Sequence, residues 1–178
     1  MDGDGGLPLP ARCLSGNRAV SAEPNVNGTV TVLQEPMKKL DRMLIQHECE
    51  QLILRYAHLN DLGDWHGLAD TFTEDAIFSR PSAPEEIIQG RHKILESFLA
   101  RKPVWTVHVV TNIMVTTLSA TEATSHCTIQ LFQATPEAEG AVASHARETA
   151  IIGGSLDRFR CADEQWLFSE RRGFLTIK

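Results

Sequence analysis

The segment "RYAHLNDLGDW", residues 55–65, gathers two carboxylates (Asp61 and Asp64), an amide (Asn60) and an indole (Trp65) around one glycine. A helix can stop at the glycine alone, so the polar groups beside it need another reason. Either aspartate could be a solvated charge at a helix end, or could do acid-base work beside an imidazole. A carboxylate that accepts one ring N–H of a histidine fixes the tautomer. It leaves the second nitrogen as a base near neutral pH and stabilises the imidazolium formed when a proton is taken. In a dry pocket such a pair supports elimination or isomerisation with no cofactor. Of the 7 histidines, His108 and His126 fall in strand-like segments, whereas His92 and His145 read as surface. No two histidines have H-x-x-x-H spacing, and Cys13, Cys49, Cys127 and Cys161 form no C-x-x-C. A metal site is therefore disfavoured, no cofactor is expected, and the cysteines read as reduced thiols. Arg171 and Arg172 read as a solvated or ion-paired strand end.

The elements that must position these groups follow from periodicity. Residues 1–35 are rich in Gly, Pro, Asn and Ser without a repeating apolar face, which predicts a disordered tail ahead of one domain over 36–178. After Pro36, Met37, Leu40, Leu44, Leu52, Ile53, Tyr56 and Leu59 recur at helical spacing, predicting a helix that ends near Leu62. Asp64 sits where it would cap a second helix running from Trp65 to about Phe72. Asp61 stays at the C-terminal end of the first helix, where the helix dipole opposes a carboxylate. "EDAIFSR" predicts a short strand and "GRHKILESFLAR" a third helix. After Pro103, four β-branched segments beginning "WTVHVVTNIMV", "EATSHCTIQLFQA", "SHARETAIIGG" and "QWLFSERRGF" predict an antiparallel meander. Three helices on about five strands give an α+β fold, a curved antiparallel sheet covered on one face by helices.

Alternation along the first long strand puts His108, Val110, Asn112, Met114 and Thr116 on one face. Both faces of "VVTNIMV" and "TIQLF" are apolar, which predicts a homodimer through the open face of the sheet, with Ile129 among the outward residues. The formal charge of −6 argues against a nucleic-acid partner. No apolar run is long enough for a membrane helix, and the acidic start "MDGDGG" lacks the basic region of a secretory signal, so a cytoplasmic location is expected.

The ordered set "LNDLGDW", "LADTFTEDAIF", "GRHKILESF", "HVVTNIMV" and "GGSLDRFRCADEQWLFSERR" resembles the SnoaL-like families of the nuclear-transport-factor-2-like superfamily, over residues of about 40–175. The resemblance implies a conical α+β barrel with a deep pocket between helices and sheet. "NDLGDW" and "VHVVTNI" are most similar to segments of the scytalone dehydratase and hexachlorocyclohexane dehydrochlorinase families. Both families set an aspartate at the end of the first helix against a histidine on the first long strand, which implies Asp61 and His108 as the catalytic pair. The same comparison puts Asn60 where scytalone dehydratases have a tyrosine, and Phe132 where they have a second histidine. It also implies that Gly153 and Ser155 face the pocket. His126 shares a face with Thr128, Gln130 and Phe132 and is a candidate second acid. With Tyr56, Trp65 and Asn112, the residues Asn60, His126, Phe132 and Ser155 make up the expected substrate-binding set. The function implied is a cofactor-free dehydratase, isomerase or cyclase on a small, largely apolar or aromatic metabolite of polyketide or terpenoid type. The alternative is a non-catalytic binding module, such as the small β subunit of a ring-hydroxylating dioxygenase.

Overall fold

The computed structural model describes residues 37–102, 104–134 and 150–177. The tail expected over 1–35, most of the loop after Ala134, Cys13 and His145 lie outside them. Helix α1 (Lys39–Leu62) buries Ile45, Cys49, Leu52, Ile53, Tyr56, Leu59 and Asn60, a set spaced by three and four residues that forms one stripe. It ends at Gly63, whose φ of 70° no β-branched residue would adopt, and the Gly63 N–H donates to the Asn60 carbonyl. Helix α2 (Trp65–Ala69) opens with Asp64 Oδ1 accepting the Gly67 N–H at 2.9 Å, so Asp64 is the predicted cap. The helix stops short of the expected Phe72, which instead begins a strand.

Strand β1 (Phe72–Arg80) and strand β2 (Ala83–Gln89) form a hairpin that sequence reading missed. Pro84, Glu85 and Glu86 look unlike a strand, yet β2 is an edge strand, where proline and charge are tolerated. Helix α3 (Arg91–Leu99) follows, and then strands β3 (Trp105–Thr117), β4 (Glu122–Ala134), β5 (Ile151–Ala162) and β6 (Gln165–Ile177). The six strands form one curved, unclosed sheet in the order β2-β1-β6-β5-β4-β3. The β3 to β6 meander is antiparallel as predicted, whereas β1 joins β6 in parallel. The helices cover one face and enclose Phe72, Phe98, Phe159, Phe168, Ile53, Leu59, Leu68 and Ile94, none more than 1% exposed. Each such side chain contributes roughly 1.5–3 kcal/mol by leaving water.

Two bulges change which residues face that core. On β3, Thr111 pairs with Thr128 but Met114 pairs with His126, so β3 carries one extra residue; Asn112 lies there at φ 51°. The inward set is therefore Thr106, His108 and Val110, then Ile113 and Val115, and the expected inward positions of Asn112, Met114 and Thr116 are corrected. On β6, Phe168 pairs with Phe159 but Glu170 pairs with Arg158, leaving Ser169 extra. Trp166 and Phe168 face inward before the bulge, Arg171 and Gly173 after it.

Cys49 and Cys127 are free, buried thiols. Burial, with the charge of Glu48 next, pushes the Cys49 thiol up to about 12, so it stays protonated and inert. Among the described residues no helix is long and apolar enough to cross a membrane.

Candidate active site

Between α1, α3 and the inner face of the sheet lies a cavity of about 280 Å³, at the small end of ligand sites. Tyr56, Asn60, His108 and Ser155 line it, as sequence reading expected.

The last turn of α1 carries Asp61 to the first residues of β3. Its carboxylate accepts three hydrogen bonds: Thr106 Oγ1–H to Oδ1 at 2.9 Å, the His108 backbone N–H to Oδ2 at 2.9 Å, and His108 Nδ1 against Oδ1 at 2.5 Å. Partial burial raises the Asp61 carboxyl, but the His108 side-chain and backbone bonds, the His108 charge and Thr106 outweigh it and hold the group below its ordinary value. An ionised Asp61 can only accept, so Nδ1 carries the proton and Nε2 is the free ring nitrogen of a side chain that lines the cavity. The dipole penalty of a carboxylate at a helix C-terminus is offset by these three donors.

A second polar centre lies deeper, and sequence reading missed it. Arg171 Nη1 donates to Asp157 Oδ2 at 2.9 Å, with the side chains 4% and 0% exposed. Ser125 and Ser155 donate to the same oxygen at 3.1 and 3.0 Å, and Cys127 Sγ lies 3.2 Å from Ser155 Oγ. The guanidinium stacks 4.3 Å from the Tyr56 ring centroid and 4.8 Å from that of Phe168. Burial pushes the Asp157 carboxyl up against the pull of Arg171 and the two serines. Arg171 also loses water, yet Asp157 and then Tyr56 hold it above its ordinary value and keep it charged. Burial likewise raises the Tyr56 phenol, against the pull of Arg171, so it remains a proton donor.

At the other end of the cavity Arg101 donates from Nη1 to Asn60 Oδ1 at 3.1 Å, and Arg80 donates from Nη2 to the Ser97 carbonyl at 2.5 Å. Burial and the neighbouring charge of Arg80 hold the Arg101 guanidinium below its ordinary value, with Tyr56 acting the other way. Part of the wall formed by β5 and β6 is main chain, at Gly153, Gly154 and Gly173. A Cβ on Gly153 would collide with the Phe174 carbonyl oxygen, one on Gly154 with the Cys127 carbonyl oxygen, and one on Gly173 with the Pro81 ring.

Five expected site residues do not line the cavity, and of these Asp61 touches it only through His108, against whose ring and backbone N–H it stands. Trp65 stacks on Phe98 from behind, with centroids 5.4 Å apart. Asn112 occupies the bulge and faces outward. On β4 the inward set is Cys127, Ile129, Leu131 and Gln133, the opposite parity from the one expected. His126 is therefore exposed and stacks on Phe174, and Phe132 is 42% exposed. Ile129, expected to point outward, lines the cavity instead.

A curved six-stranded sheet whose helices cover a cavity lined by Tyr56, His108 and Arg171, the last two each backed by an aspartate, defines a class of small pocket proteins. The chain belongs to the SnoaL-like domain family, whose model matches residues 41–172. Among solved structures it is similar to a protein provisionally named a scytalone dehydratase from Novosphingobium aromaticivorans, at 22% identity and TM-score 0.61 over 76% of this chain and 86% of that one. A protein from Streptomyces avermitilis, provisionally named a dehydratase of the NTF2-like family, matches at 13% identity and TM-score 0.63 over 74% and 96%. A third, provisionally named an aromatic ring hydroxylase and also from Novosphingobium aromaticivorans, matches at 20% identity and TM-score 0.60 over 75% and 90%. At these identities the likeness is one of fold. No match is found among the curated proteins.

Proposed function

We propose that the chain is a cofactor-independent lyase or isomerase that dehydrates a small, largely apolar or aromatic molecule or shifts a double bond in it. The observation that carries this reading is the Asp61 carboxylate held by three hydrogen bonds, which fixes His108 with Nε2 as the free nitrogen at the cavity. A binding module has no need to hold an imidazole in one tautomer. In the proposed step His108 Nε2 takes a proton from carbon beside a carbonyl or a leaving group, and Asp61 stabilises the imidazolium that results. Charge developing on the substrate oxygen then needs donors. His126 points away and the Ser155 hydroxyl is spent on Asp157, so Tyr56 and Arg171 take that role instead.

The test is turnover against a panel of β-hydroxy and β,γ-unsaturated carbonyl compounds. Asp61→Asn and His108→Ala should each reduce it by a factor on the order of 10²–10⁴, and the double variant should lose little more because the two act as a unit. Asp64→Asn should leave it nearly intact. Full turnover in His108→Ala would remove the Asp61–His108 pair as the base, and a parent protein that turns over no member of the panel would favour the binding module. We also infer a homodimer through the outer face of the sheet, where Val107, Val109, Met114, Phe132 and Leu156 are 40–71% exposed.

A further inference from the structure

The cavity holds more positive charge than its carboxylates balance. Asp157 is committed to Arg171, and Asp61 is saturated by Thr106 and His108. That leaves Arg80 and Arg101, which both line the cavity, and among the described residues neither meets a carboxylate. They share one place: their guanidinium carbons lie 5.1 and 5.4 Å from the same Phe98 ring centroid. Each is half-buried and gives part of its fork to neutral oxygens, Arg80 to Ser97 and Arg101 to Asn60. A guanidinium has five N–H donors, so most of this capacity is unspent. Next to Arg80 in the same wall, the Ser79 hydroxyl is buried, 1% exposed, and has no partner. Two like charges partly stripped of water, beside an orphaned hydroxyl, are costly in an empty site and favourable around an anion. Apolar side chains, Phe78, Phe98, Ile129 and Leu131, also line the cavity.

The geometry points to a substrate that is itself an anion: a small aromatic or unsaturated carboxylate, held at its carboxylate by Arg80 and Arg101 with Ser79 beside them. Arg101 is bonded to Asn60, the residue next to Asp61. The anion subsite and the base therefore sit at the same end of α1, and a short carbon skeleton along Phe98 spans them. This inference rests on the proposed lyase or isomerase reading only for what His108 does to the bound molecule. Recognition of the carboxylate stands on the arginines.

Calorimetric titration of the full chain with cinnamate and with its neutral isostere cinnamamide tests the inference. Cinnamate should bind at least about tenfold more tightly, and added salt should narrow the gap by screening. Arg101→Gln and Arg80→Gln should each remove most of the preference, with folding checked by circular dichroism. Arg101→Lys, which keeps the charge and the apolar stem, should restore part of it. His108→Ala should leave the preference in place, and a parent protein that selects cinnamate but turns over no member of the carbonyl panel would reject the lyase reading alone. Equal binding of acid and amide, no saturable binding of cinnamate at millimolar concentration, or a preference that survives both glutamine variants would overturn the anion subsite.

Discussion

Arg171→Met removes the guanidinium that pairs with Asp157 while keeping a flexible apolar side chain against Tyr56 and Phe168. The Asp157 side chain is 0% exposed and its Oδ1 already has no partner, so without Arg171 only Ser125 and Ser155 remain to compensate a sealed charge. Breaking one side of a buried pair costs about 3–5 kcal/mol, a large part of the roughly 5–15 kcal/mol that holds a domain folded. Removing both charges in Asp157→Leu/Arg171→Met deletes the stranded ion. The two serine hydroxyls lose their acceptor at about 1 kcal/mol each, so the double variant should sit about 2 kcal/mol below the parent, above Arg171→Met. Urea unfolding at neutral pH, followed by the fluorescence of the buried Trp166, reads these differences at an unchanged m-value. In Arg171→Met the Asp157 carboxyl keeps a folded-state value raised by burial with its main counter-charge gone. The folded state then binds the extra proton, and stability should fall as pH rises from the unfolded carboxylate value of 3.8 through the folded one. A loss below about 1 kcal/mol, or a double variant that loses the sum of the two single losses, would refute the buried-pair account.

Three further outcomes are expected. The Asp61 carboxyl has a folded value below the ordinary 3.8, so the stability it adds is complete above that pH and lost as pH falls through the folded value; Asp61→Asn should flatten that acid limb in pH-dependent urea melts. Asn112, at φ 51°, should tolerate Gly with little change in melting temperature, whereas Asn112→Val should cost about 1–2 kcal/mol because a β-branched residue resists the left-handed region. If two copies join through the outer sheet face, Val107→Asp or Phe132→Asp, at directly paired positions, should shift the mass seen by light scattering from dimer to monomer; a monomeric parent at micromolar concentration would reject the interface.

How far the sequence could be read depended on whether a position obeyed a simple period. The stripe of α1, the glycine stop and the Asp64 cap follow from local rules, and the helix and meander order was legible from them. The proximity of Asp61 and His108 was not. It joins residues 47 apart, and only the resemblance suggested it. Strand faces failed where period two failed. The extra residue at Asn112 moved Asn112 and Met114 outward, and the extra Ser169 turned Arg171 inward from what strict alternation after Phe168 would make the solvent face. On β4 both faces carry polar and apolar residues, so alternation gave two phases and nothing local to choose between them; His126 and Phe132 were assigned to the wrong one. The signal available for Arg171 was the pairing of β6 with β5, where Asp157 lies opposite Arg171. That register needs the position of the bulge, which no composition reveals.

The glycine wall has a consequence for how the pocket could change. Where Gly153, Gly154 and Gly173 stand, the lining is peptide backbone with no room for a methyl group. Even the smallest replacement must therefore push a strand or the Pro81 turn aside. Mutation cannot narrow or decorate that side one atom at a time, as it can at Ile129, Leu131 or Phe78. Any drift toward a new ligand, in nature or in the laboratory, must thus run through the lining positions that carry side chains. The three glycines act as a fixed gauge against which every accepted molecule is sized.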